Sequence, residues 1–243
     1  MSDLTGRTAL VTGATAGIGR AVALQLGARG ADVIVHGRDP GRGAEVVGEI
    51  ARRGGTARFV AADLTDAGEV AQLAADAGEV DILVNNAGIY DFTSTPGTSA
   101  ESFDRHVAIN TRAPFLLVGA LAPGMAKRGR GAIVNVTSTA ATSAAPIGAA
   151  YGASKAAVEL LTRSWATEFG ADGVRVNGVS PGPVRTAGTA HVADLLGQAN
   201  IRGQVGEPEE IAEVVLFLVD DRSSYINGTV VLANGGERSA LPG

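Results

Sequence analysis

Residues 8–19 read TALVTGATAGIG, a short apolar run followed by a glycine-rich turn, and this stretch decides the fold. Thr8–Thr12 has the composition of a buried strand, and Ile18–Arg29 has the apolar periodicity of a helix. Glycines between a strand and a helix let the backbone turn sharply and approach a pyrophosphate, which the positive end of the helix dipole attracts. The spacing is Gly-x-x-x-Gly-x-Gly rather than the dinucleotide fingerprint Gly-x-Gly-x-x-Gly, so by itself it also fits a plain turn in a chain with 34 glycines.

Strand-like and helical patterns alternate along the rest of the chain. The other strand-like runs are Asp32–His36, Arg58–Ala62, Ile82–Asn85, Ala132–Thr137, Val174–Val179 and Thr229–Leu232. Helical patterns lie between them at Arg42–Arg53, Asp66–Ala77, Ala100–Arg128 (two helices), Ala153–Phe169 and from Glu207 onward. Because the strand-like runs are mostly Val, Ile, Leu and Ala rather than alternating, they suit parallel strands that are buried on both faces. We predict one domain over residues 1–243, an α/β fold with a doubly wound, Rossmann-type, mostly parallel sheet of seven strands and helices on both faces.

Local signals refine this prediction at three places. Asp66 and Glu69 have the spacing of a capping box at the start of a helix. Pro114 stands near the start of the second helix within Ala100–Arg128, where proline is tolerated. The least regular stretch, residues 181–206, is the predicted substrate loop.

Composition narrows the possible functions. The net charge of −5 and the absence of a long basic run argue against nucleic acid and anionic membranes as partners. The chain has no cysteine, which excludes disulfides, thiolate metal sites and a thiol nucleophile. His36, His106 and His191 lack metal-ligand spacing, so we expect no metal. Neither a signal sequence nor an apolar run of about 20 residues is present, and we expect a soluble, cytoplasmic protein.

The segment Tyr151-Gly152-Ala153-Ser154-Lys155 places a phenol and an ammonium on one face of a helix. An ammonium close to a phenol favours the phenolate, which suits a general acid/base. Ser138 follows a strand-like run, and its hydroxyl could hold a substrate oxygen against the phenol. The pair could also be a surface Tyr and Lys at chance spacing, but Lys127 is the only other lysine in the chain.

Together these residues resemble the short-chain dehydrogenase/reductase family, and the resemblance covers nearly the whole chain. The matching motifs, in the order of the family, are the glycine turn, Asp63-Leu64, Asn85-Asn86-Ala87-Gly88, Asn110, Ser138, Tyr151 with Lys155, and Pro181-Gly182 followed by Thr186. The resemblance implies an NAD(P)-dependent oxidoreductase that interconverts a ketone and a secondary alcohol by hydride transfer.

The resemblance also implies a role for each matching residue. Tyr151 would exchange the proton with the substrate oxygen, and Ser138 would orient that oxygen. Lys155 would bind the nicotinamide ribose and lower the pKa of Tyr151, while Asn110 would hold a water of a proton relay. The implied cofactor-binding residues are Gly13, Thr15, Gly17, Ile18 and Gly19 near the pyrophosphate, Arg38, Asp63 and Leu64 near the adenosine, Asn86, Ala87, Gly88, Tyr151 and Lys155 along the cleft, and Pro181, Gly182, Val184 and Thr186 near the nicotinamide.

The end of the second strand bears on the choice of cofactor. An acid there holds the adenine ribose hydroxyls of NAD, whereas an arginine accommodates the 2′-phosphate of NADP. Gly37 stands at the position of that acid and Arg38 follows it, which predicts NADP(H) as the preferred cofactor, with NAD possible. Asp39 would become the NAD marker if the register were two residues longer, and Ala16 lacks the second basic residue of many NADP users.

The substrate is not readable from the sequence. By resemblance Tyr90, Phe92 and His191 would line the substrate cleft. Asp172 stands where relatives that act on acyl carrier protein place a basic residue near the active-site mouth, so we favour a free small-molecule substrate over a carrier-bound one. A 3-oxoacyl-(acyl-carrier-protein) reductase is the alternative, and a non-catalytic nucleotide-sensing protein or another enzyme class on a related scaffold is more remote. Asn234 replaces the family's usual aspartate before Gly235 and Gly236, which should preserve the turn.

The remaining expectations concern assembly and structure. The helices Thr111–Arg128 and Gly152–Phe169 are rich in small and apolar residues, and the resemblance implies that they pair across a two-fold axis in a homotetramer, with a dimer as second choice. Trp165 is expected in the core or an interface, and Asn85 in a structural role at a strand end. Arg128 and Arg130 are expected in a solvated rim.

Overall fold

The computed structural model describes residues 3–143, 148–186, 188–189, 197 and 200–236. Seven strands form one sheet in the order β3-β2-β1-β4-β5-β6-β7, and all neighbours are parallel. The strands are β1 (Thr8–Val11), β2 (Asp32–Gly37), β3 (Thr56–Ala61), β4 (Ile82–Asn85), β5 (Gly131–Val136), β6 (Val174–Pro181) and β7 (Val230–Ala233). The chain moves outward from β1 to β3 and then returns to place β4 beside β1, which is the doubly wound arrangement. The predicted fold class is confirmed.

The helices lie on the two faces of this sheet. They are α1 (Gly17–Ala28), α2 (Pro40–Arg52), α3 (Ala67–Ala77), α4 (Ala100–His106), a π-helix (Val107–Arg112), α5 (Ala113–Lys127), α6 (Ala149–Phe169) and α7 (Pro208–Val219). The sequence predicted two helices between residues 100 and 128 but not the π-helix that joins them. It also placed the start of α6 too late, at Ala153, whereas the helix begins before Tyr151.

Consecutive residues of the central strands enter opposite cores, which explains why these strands are mostly apolar rather than alternating. Leu10 and Leu83 belong to the core beneath α3 and α5, whereas Val11 and Val84 belong to the core beneath α1 and α7. All four side chains are fully buried. Each core buries aliphatic residues against small ones, as the low aromatic content requires.

Helix α3 shows where a local prediction was wrong. Asp66 accepts hydrogen bonds from the amides of Gly68 and Glu69, as a capping residue should. Glu69, however, accepts from the amide of Asp63, because the Asp66 amide already donates to the Asp63 carbonyl. The complete capping box lies instead at the start of α7, where the Glu210 carboxylate accepts from the Glu207 amide.

The helical run Ala100–Lys127 has the length and hydropathy of a membrane-spanning segment. Half of its most apolar window is buried inside the protein. Leu117, Val118 and Met125 have no exposed surface and contact the sheet side of the molecule. A buried core helix of a globular protein can have the same length and hydropathy. The burial of Ala100–Lys127 therefore accounts for its hydropathy.

Candidate active site

The carboxyl ends of parallel strands meet at one edge of the sheet, and this edge holds the predicted site residues. The segments that follow the first five strands begin with Thr12, Arg38, Ala62, Asn86 and Thr137, and Pro181 ends β6. Helix α6 brings Tyr151 and Lys155 to the same edge, and the π-helix brings Asn110. The structure therefore gathers residues that are up to about 170 positions apart.

The glycine turn after β1 is shaped by close contacts. Gly13 has a φ of +62°, and a Cβ atom there would lie 2.9 Å from Ala87 Cα. Gly17 has a φ of +51°, and its Cβ would lie 3.1 Å from Thr186 Cγ2. A Cβ on Gly19 would collide with the Asn86 side chain. Glycine is required at each of these positions by the backbone conformation or by a neighbour.

Helix α1 begins at this turn without a side-chain cap. Its N-cap residue is Ala16, which makes no side-chain capping hydrogen bond, whereas α2 and α3 are capped by Asp39 and Asp66. The first-turn amides of α1, including that of Ile18, therefore remain donors for an anion at the positive end of the helix dipole. The turn and the helix start fit a dinucleotide pyrophosphate.

Asn86 holds the glycine turn from behind. Its side-chain amide donates to the carbonyl oxygens of Thr12 (2.9 Å) and Gly13 (3.1 Å). The Thr12 hydroxyl accepts from the amides of Asn86 and Ala87, both at 3.0 Å. The resemblance implied that Asn86 lines the cofactor, but in the structure its side chain supports the turn.

His36, which the sequence analysis considered only as a metal ligand, joins three strand ends. Its Nδ1 accepts from the Gly13 amide (3.2 Å), and its main-chain carbonyl accepts from the Ala14 amide (2.8 Å). Its Nε2 lies 3.1 Å from the Ala62 carbonyl oxygen, to which it donates in the neutral Nε2–H tautomer. The ring is buried, and burial lowers the pKa of His36 below its ordinary value. The histidine is thus a clamp for the turn, and a polar residue at a buried strand end was the only sequence signal.

The end of β2 settles the register that the sequence left open. The strand extends to Gly37, and a Cβ on Gly37 would lie 2.6 Å from Cγ2 of Thr15 in the glycine turn. Asp39 caps α2 by accepting from the amides of Gly41 and Arg42, at 2.8 and 3.2 Å. Arg38 is exposed between them, and no described residue accepts a hydrogen bond from its guanidinium.

Asp63 follows β3 on the same side of the cleft. Its carboxylate accepts from the amide and the hydroxyl of Thr65, at 2.9 and 2.8 Å. These bonds lower the pKa of Asp63, and the positive charges of Arg38 and Arg105 lower it further. Leu64, which follows, is buried in the core beneath α3 and α5.

Tyr151 and Lys155 lie on the face of α6 that meets the ends of β4 and β5. The Lys155 ammonium is buried, donates to the Val136 carbonyl (2.8 Å) and lies 6.0 Å from the centroid of the Tyr151 ring. A Cβ on Gly88 would lie 3.2 Å from Lys155 Nζ and 3.3 Å from Asn110 Oδ1, so the glycine leaves room for these two groups. The Ser138 hydroxyl is close enough to the Tyr151 phenol to influence its ionisation.

The pKa values of this pair differ from the expectation. Burial raises the pKa of Tyr151, although the hydrogen bond with the Ser138 hydroxyl opposes the rise. Burial also lowers the pKa of Lys155 to about 8. Burial is the largest cause of both shifts, so the pKa of Tyr151 is raised rather than lowered in the structure.

Asn110 lies within the π-helix Val107–Arg112. Its Oδ1 accepts from the Ile89 amide, and its Nδ2 donates to the Ile89 carbonyl and to the Ser154 hydroxyl, each at 2.9 Å. The side chain thus fixes the segment after β4 against α6. π-Helical turns are frequent at functional sites, where they move one side chain out of the α-helical register. A role for Asn110 in a water relay stays a prediction.

The segment after β6 lies beside the end of β7 and the glycine turn. The Gly182 amide donates to the Ala233 carbonyl (3.2 Å), and the buried Val184 pairs with Gly206. Thr186 lies against Gly17, and its amide donates to the Thr189 hydroxyl (2.9 Å). This segment therefore lies beside the glycine turn, and its place near the nicotinamide stays a prediction.

Two of the three predicted cleft residues, Tyr90 and Phe92, lie beside Tyr151, with each ring centroid 6.2 Å from that of the tyrosine. His191 lies outside the described residues. Asn234 accepts from the Gly236 amide at 3.1 Å, so the turn after β7 forms with an amide in place of the carboxylate.

The structure contradicts the expectations for Asp172 and Arg128. Asp172 lies in a turn just before β6, at the edge of the sheet opposite to Tyr151, so its expected place near the active-site mouth is wrong. The reason is the strand direction, which sends the residues before and after a strand to opposite edges. Arg128 is not merely solvated, because it donates to the Val80 carbonyl (2.6 Å), and both Arg128 and Arg130 face the buried Asp81. Asn85 has the predicted structural role, since it donates to Asn135 (2.9 Å) between strands.

Comparisons with known proteins agree with this geometry. A family model described as Enoyl-(Acyl carrier protein) reductase matches residues 13–237. Cyclopentanol dehydrogenase of Comamonas sp. is 36% identical over 97% of this chain and 98% of its own length. The 3-oxoacyl-[acyl-carrier-protein] reductase FabG of Rickettsia bellii is 38% identical over 97% and 98%.

Solved structures give the same result. A structure described as a short chain dehydrogenase/reductase family protein is 48% identical, with a TM-score of 0.92 over 96% of this chain and 98% of that one. The angucycline C-6 ketoreductase LanV, solved with bound NADP, is 37% identical, with a TM-score of 0.90 over 97% and 96%.

Proposed function

The chain belongs to the short-chain dehydrogenase/reductase family, and we propose that within it the protein is an NADPH-dependent ketoreductase that acts on a free small molecule. Its reaction class is the NAD(P)-dependent interconversion of a carbonyl and an alcohol. The observation that carries the assignment of roles is the convergence of Tyr151, Ser138 and Lys155 at one edge of the sheet.

In the proposed reduction, Tyr151 donates its phenolic proton to the carbonyl oxygen of the substrate. Its raised pKa keeps the phenol protonated at neutral pH, as a general acid requires. Ser138 donates a hydrogen bond to the same oxygen and orients it. When bound, the nicotinamide supplies the hydride. Lys155 would bind the ribose hydroxyls beside it, and in the reverse direction Tyr151 would accept the alcohol proton.

The preference for NADPH is supported by the end of β2. A side chain at Gly37 would press on Thr15, so this position has no room for the acid that would bind the ribose hydroxyls. Asp39 is already engaged at the start of α2, where its Oδ1 accepts two capping hydrogen bonds. The exposed Arg38 is available to a 2′-phosphate, and a charge-assisted contact of this kind contributes about 1.5–3 kcal/mol.

The choice of a free substrate rests on the mouth of the site rather than on Asp172. The aromatic side chains Tyr90 and Phe92 stand beside Tyr151, and the chain carries a net charge of −5, which does not attract an acidic carrier. The likeness to FabG supports the second candidate, a reductase of carrier-bound 3-oxoacyl groups.

We also propose a cytoplasmic homotetramer. Phe115 on α5 and Leu160 on α6 are more than half exposed, and the Phe115 ring lies 6.3 Å from the buried Trp165. Tyr225 and Leu232 form a second exposed apolar set near β7. Exposed apolar residues on two separate surfaces suit two kinds of subunit contact. Light scattering at micromolar concentration would detect the tetramer, and a stable monomer would contradict it.

The decisive experiment is an absorbance assay of NADPH and NADH oxidation with a panel of free ketones and with a 3-oxoacyl carrier-protein substrate. We expect NADPH oxidation with free ketones. Preference for the carrier-bound substrate would favour the second candidate, and cofactor binding without turnover of either class would indicate a nucleotide-sensing protein.

A further inference from the structure

The segment 89–93, which follows the 86–88 motif, is anchored at every second residue. Asn110 bonds to both the amide and the carbonyl of Ile89 at 2.9 Å. The Asp91 amide donates to His106 Nε2 (3.2 Å), and its carboxylate accepts from the Ser102 hydroxyl (2.9 Å). The Thr93 carbonyl accepts from the Gly148 amide (2.9 Å). These anchors hold the segment against α4, the π-helix and the start of α6.

His106 is the central anchor, and it is nearly inaccessible to solvent, with 1% of its surface exposed. Its Nδ1 lies 2.8 Å from the Ser102 carbonyl, so the ring spans the last turn of α4 and the Asp91 amide. A buried polar side chain that is hydrogen-bonded at both ends fixes a backbone segment more firmly than surface contacts do. The segment 89–93 is therefore fixed in position by buried hydrogen bonds.

The two residues between the anchors, Tyr90 and Phe92, project toward Tyr151. Their ring centroids are 5.6 Å apart, and both rings stand edge-on to the Tyr151 ring, at 68° and 76°. Tyr90 remains 39% exposed and Phe92 57% exposed. A Cβ on Gly188 would overlap the Tyr90 hydroxyl, so that glycine allows the ring its position. Two aromatic rings are thus held at the mouth of the cleft with much of their apolar surface uncovered.

We propose that Tyr90 and Phe92 are specificity-determining residues that select substrates with an apolar ring containing the carbonyl or attached directly to it. This inference rests on the proposed function, because it requires the substrate carbonyl at Tyr151. The ring centroids lie 6.2 Å from that of Tyr151, so a group attached directly to a carbonyl at Tyr151 is within reach of both rings. Aromatic side chains favour a flat apolar partner, and such a partner would cover the exposed surface. The substrate class is therefore cyclic ketones and aryl ketones.

The test compares ketones that have equal numbers of carbon atoms. The pairs are cyclohexanone with 2-hexanone and acetophenone with 2-octanone, each assayed with NADPH. We expect kcat/KM to be at least about tenfold higher for the ring member of each pair, which corresponds to about 1.4 kcal/mol. Phe92→Ala and Tyr90→Ala should each lower the ring-to-chain ratio by about fivefold or more, chiefly through KM. Comparing ratios between wild type and variant cancels the intrinsic reactivities of the ketones.

The matched control is Phe217→Ala, since Phe217 is a 41% exposed aromatic residue on α7, on the other face of the sheet. It should leave the ratio unchanged. Phe92→Leu, which keeps an apolar side chain without a ring, should fall between wild type and Phe92→Ala. NADPH affinity measured by fluorescence checks that each variant is folded. Equal efficiency toward rings and chains, or an equal loss for both in the alanine variants, would overturn the inference. Failure to turn over any ketone would contradict the proposed function itself.

Discussion

The two walls of the cleft are built in different ways. On the cofactor wall, the glycine turn is fixed by Asn86 and His36 through buried hydrogen bonds, and its glycines are required by contacts shorter than van der Waals distance. On the substrate wall, polar anchors are hidden beneath the backbone, and the surface consists of the exposed rings of Tyr90 and Phe92. The first wall is determined by backbone shape and the second by the choice of side chains.

This contrast between backbone shape and side-chain choice predicts which substitutions change which function. A substitution in the glycine turn alters backbone conformation and should cost binding of any dinucleotide. A substitution of Tyr90 or Phe92 leaves the anchors of the segment in place and should change only which substrate fits. If the two walls are independent, cofactor binding and substrate preference can each be changed without the other.

The largest effect is expected for Tyr151→Phe, at the junction of the walls. The change keeps the ring and removes the proton donor. General acid/base groups contribute about 10²–10⁴-fold, so kcat should fall by at least about 100-fold while NADPH affinity changes by less than about threefold. Steady-state kinetics and fluorescence titration measure the two quantities. A variant that retains turnover within about threefold, with chemistry rate-limiting, would remove Tyr151 from its role.

Arg38→Leu tests the cofactor wall alone. We expect wild-type kcat/KM to be about 10- to 150-fold higher with NADPH than with NADH, and the variant should lose most of this difference without changing the order of ketone preference. A matched variant is Arg42→Leu, one turn into α2, where the guanidinium faces Asp39 at 3.8 Å. If wild type uses both cofactors equally, or if the Arg38 variant keeps its ratio, Arg38 is only a surface charge.

His36→Leu removes the clamp between β2, the glycine turn and Ala62. Loss of a buried hydrogen-bonding group costs about 1–3 kcal/mol, so we expect NADPH to bind about tenfold more weakly. Relative KM values for different ketones should stay unchanged. Substrate preference that shifts together with NADPH affinity would show that the walls are coupled.

The same histidine predicts an acid limit. Because burial lowers the pKa of His36, the folded protein favours the neutral ring, and the unfolded chain binds the extra proton first. Stability is therefore full above pH of about 6.5, the ordinary histidine value, and falls as the pH drops from there toward the lowered pKa. NADPH affinity should follow, since a proton on Nδ1 would face the Gly13 amide donor. Wild type and His36→Leu having the same acid profile would contradict this assignment.

The smallest effect is the alkaline limit of reduction. Lys155 has a pKa of about 8, so its ammonium is lost as the pH rises through that value. We expect kcat/KM for reduction to be level below pH of about 7 and to fall about fourfold by pH of about 8.5. The pH profile with NADPH measures it, and a level profile throughout this range would indicate that the charge of Lys155 does not matter.

The sheet could be predicted from the sequence because each strand has an apolar face toward each core. The shape of the glycine turn could be predicted too, since glycine spacing reports backbone conformation, and the place of Asp39 after the strand was resolved once β2 reached Gly37. His36 and the π-helix could not be predicted. The role of His36 depends on contacts between the ends of three strands. The π-helix depends on hydrogen bonds that leave no periodic pattern in the sequence.

The error over Asp172 has a different origin. Asp172 precedes β6 whereas Pro181 ends it, and the whole length of the strand separates these two positions. For the substrate wall, the sequence predicted only that Tyr90 and Phe92 lie near the substrate. Nothing in the order of residues from Tyr90 to Phe92 indicated that alternate residues are anchored from below.

Because Lys155 is buried, the rate at which its amine is covalently labelled measures local opening of the protein. The chain contains two lysines, Lys127 and Lys155. Lys127 is exposed at the end of α5, whereas Lys155 is 4% exposed and is held by the Val136 carbonyl. An amine-acylating reagent should therefore modify Lys127 at the rate of a free amine and Lys155 much more slowly, in the moments when its amine is released from the Val136 carbonyl. The ratio of the two labelling rates, read from one sample by mass spectrometry, would report how often that release occurs.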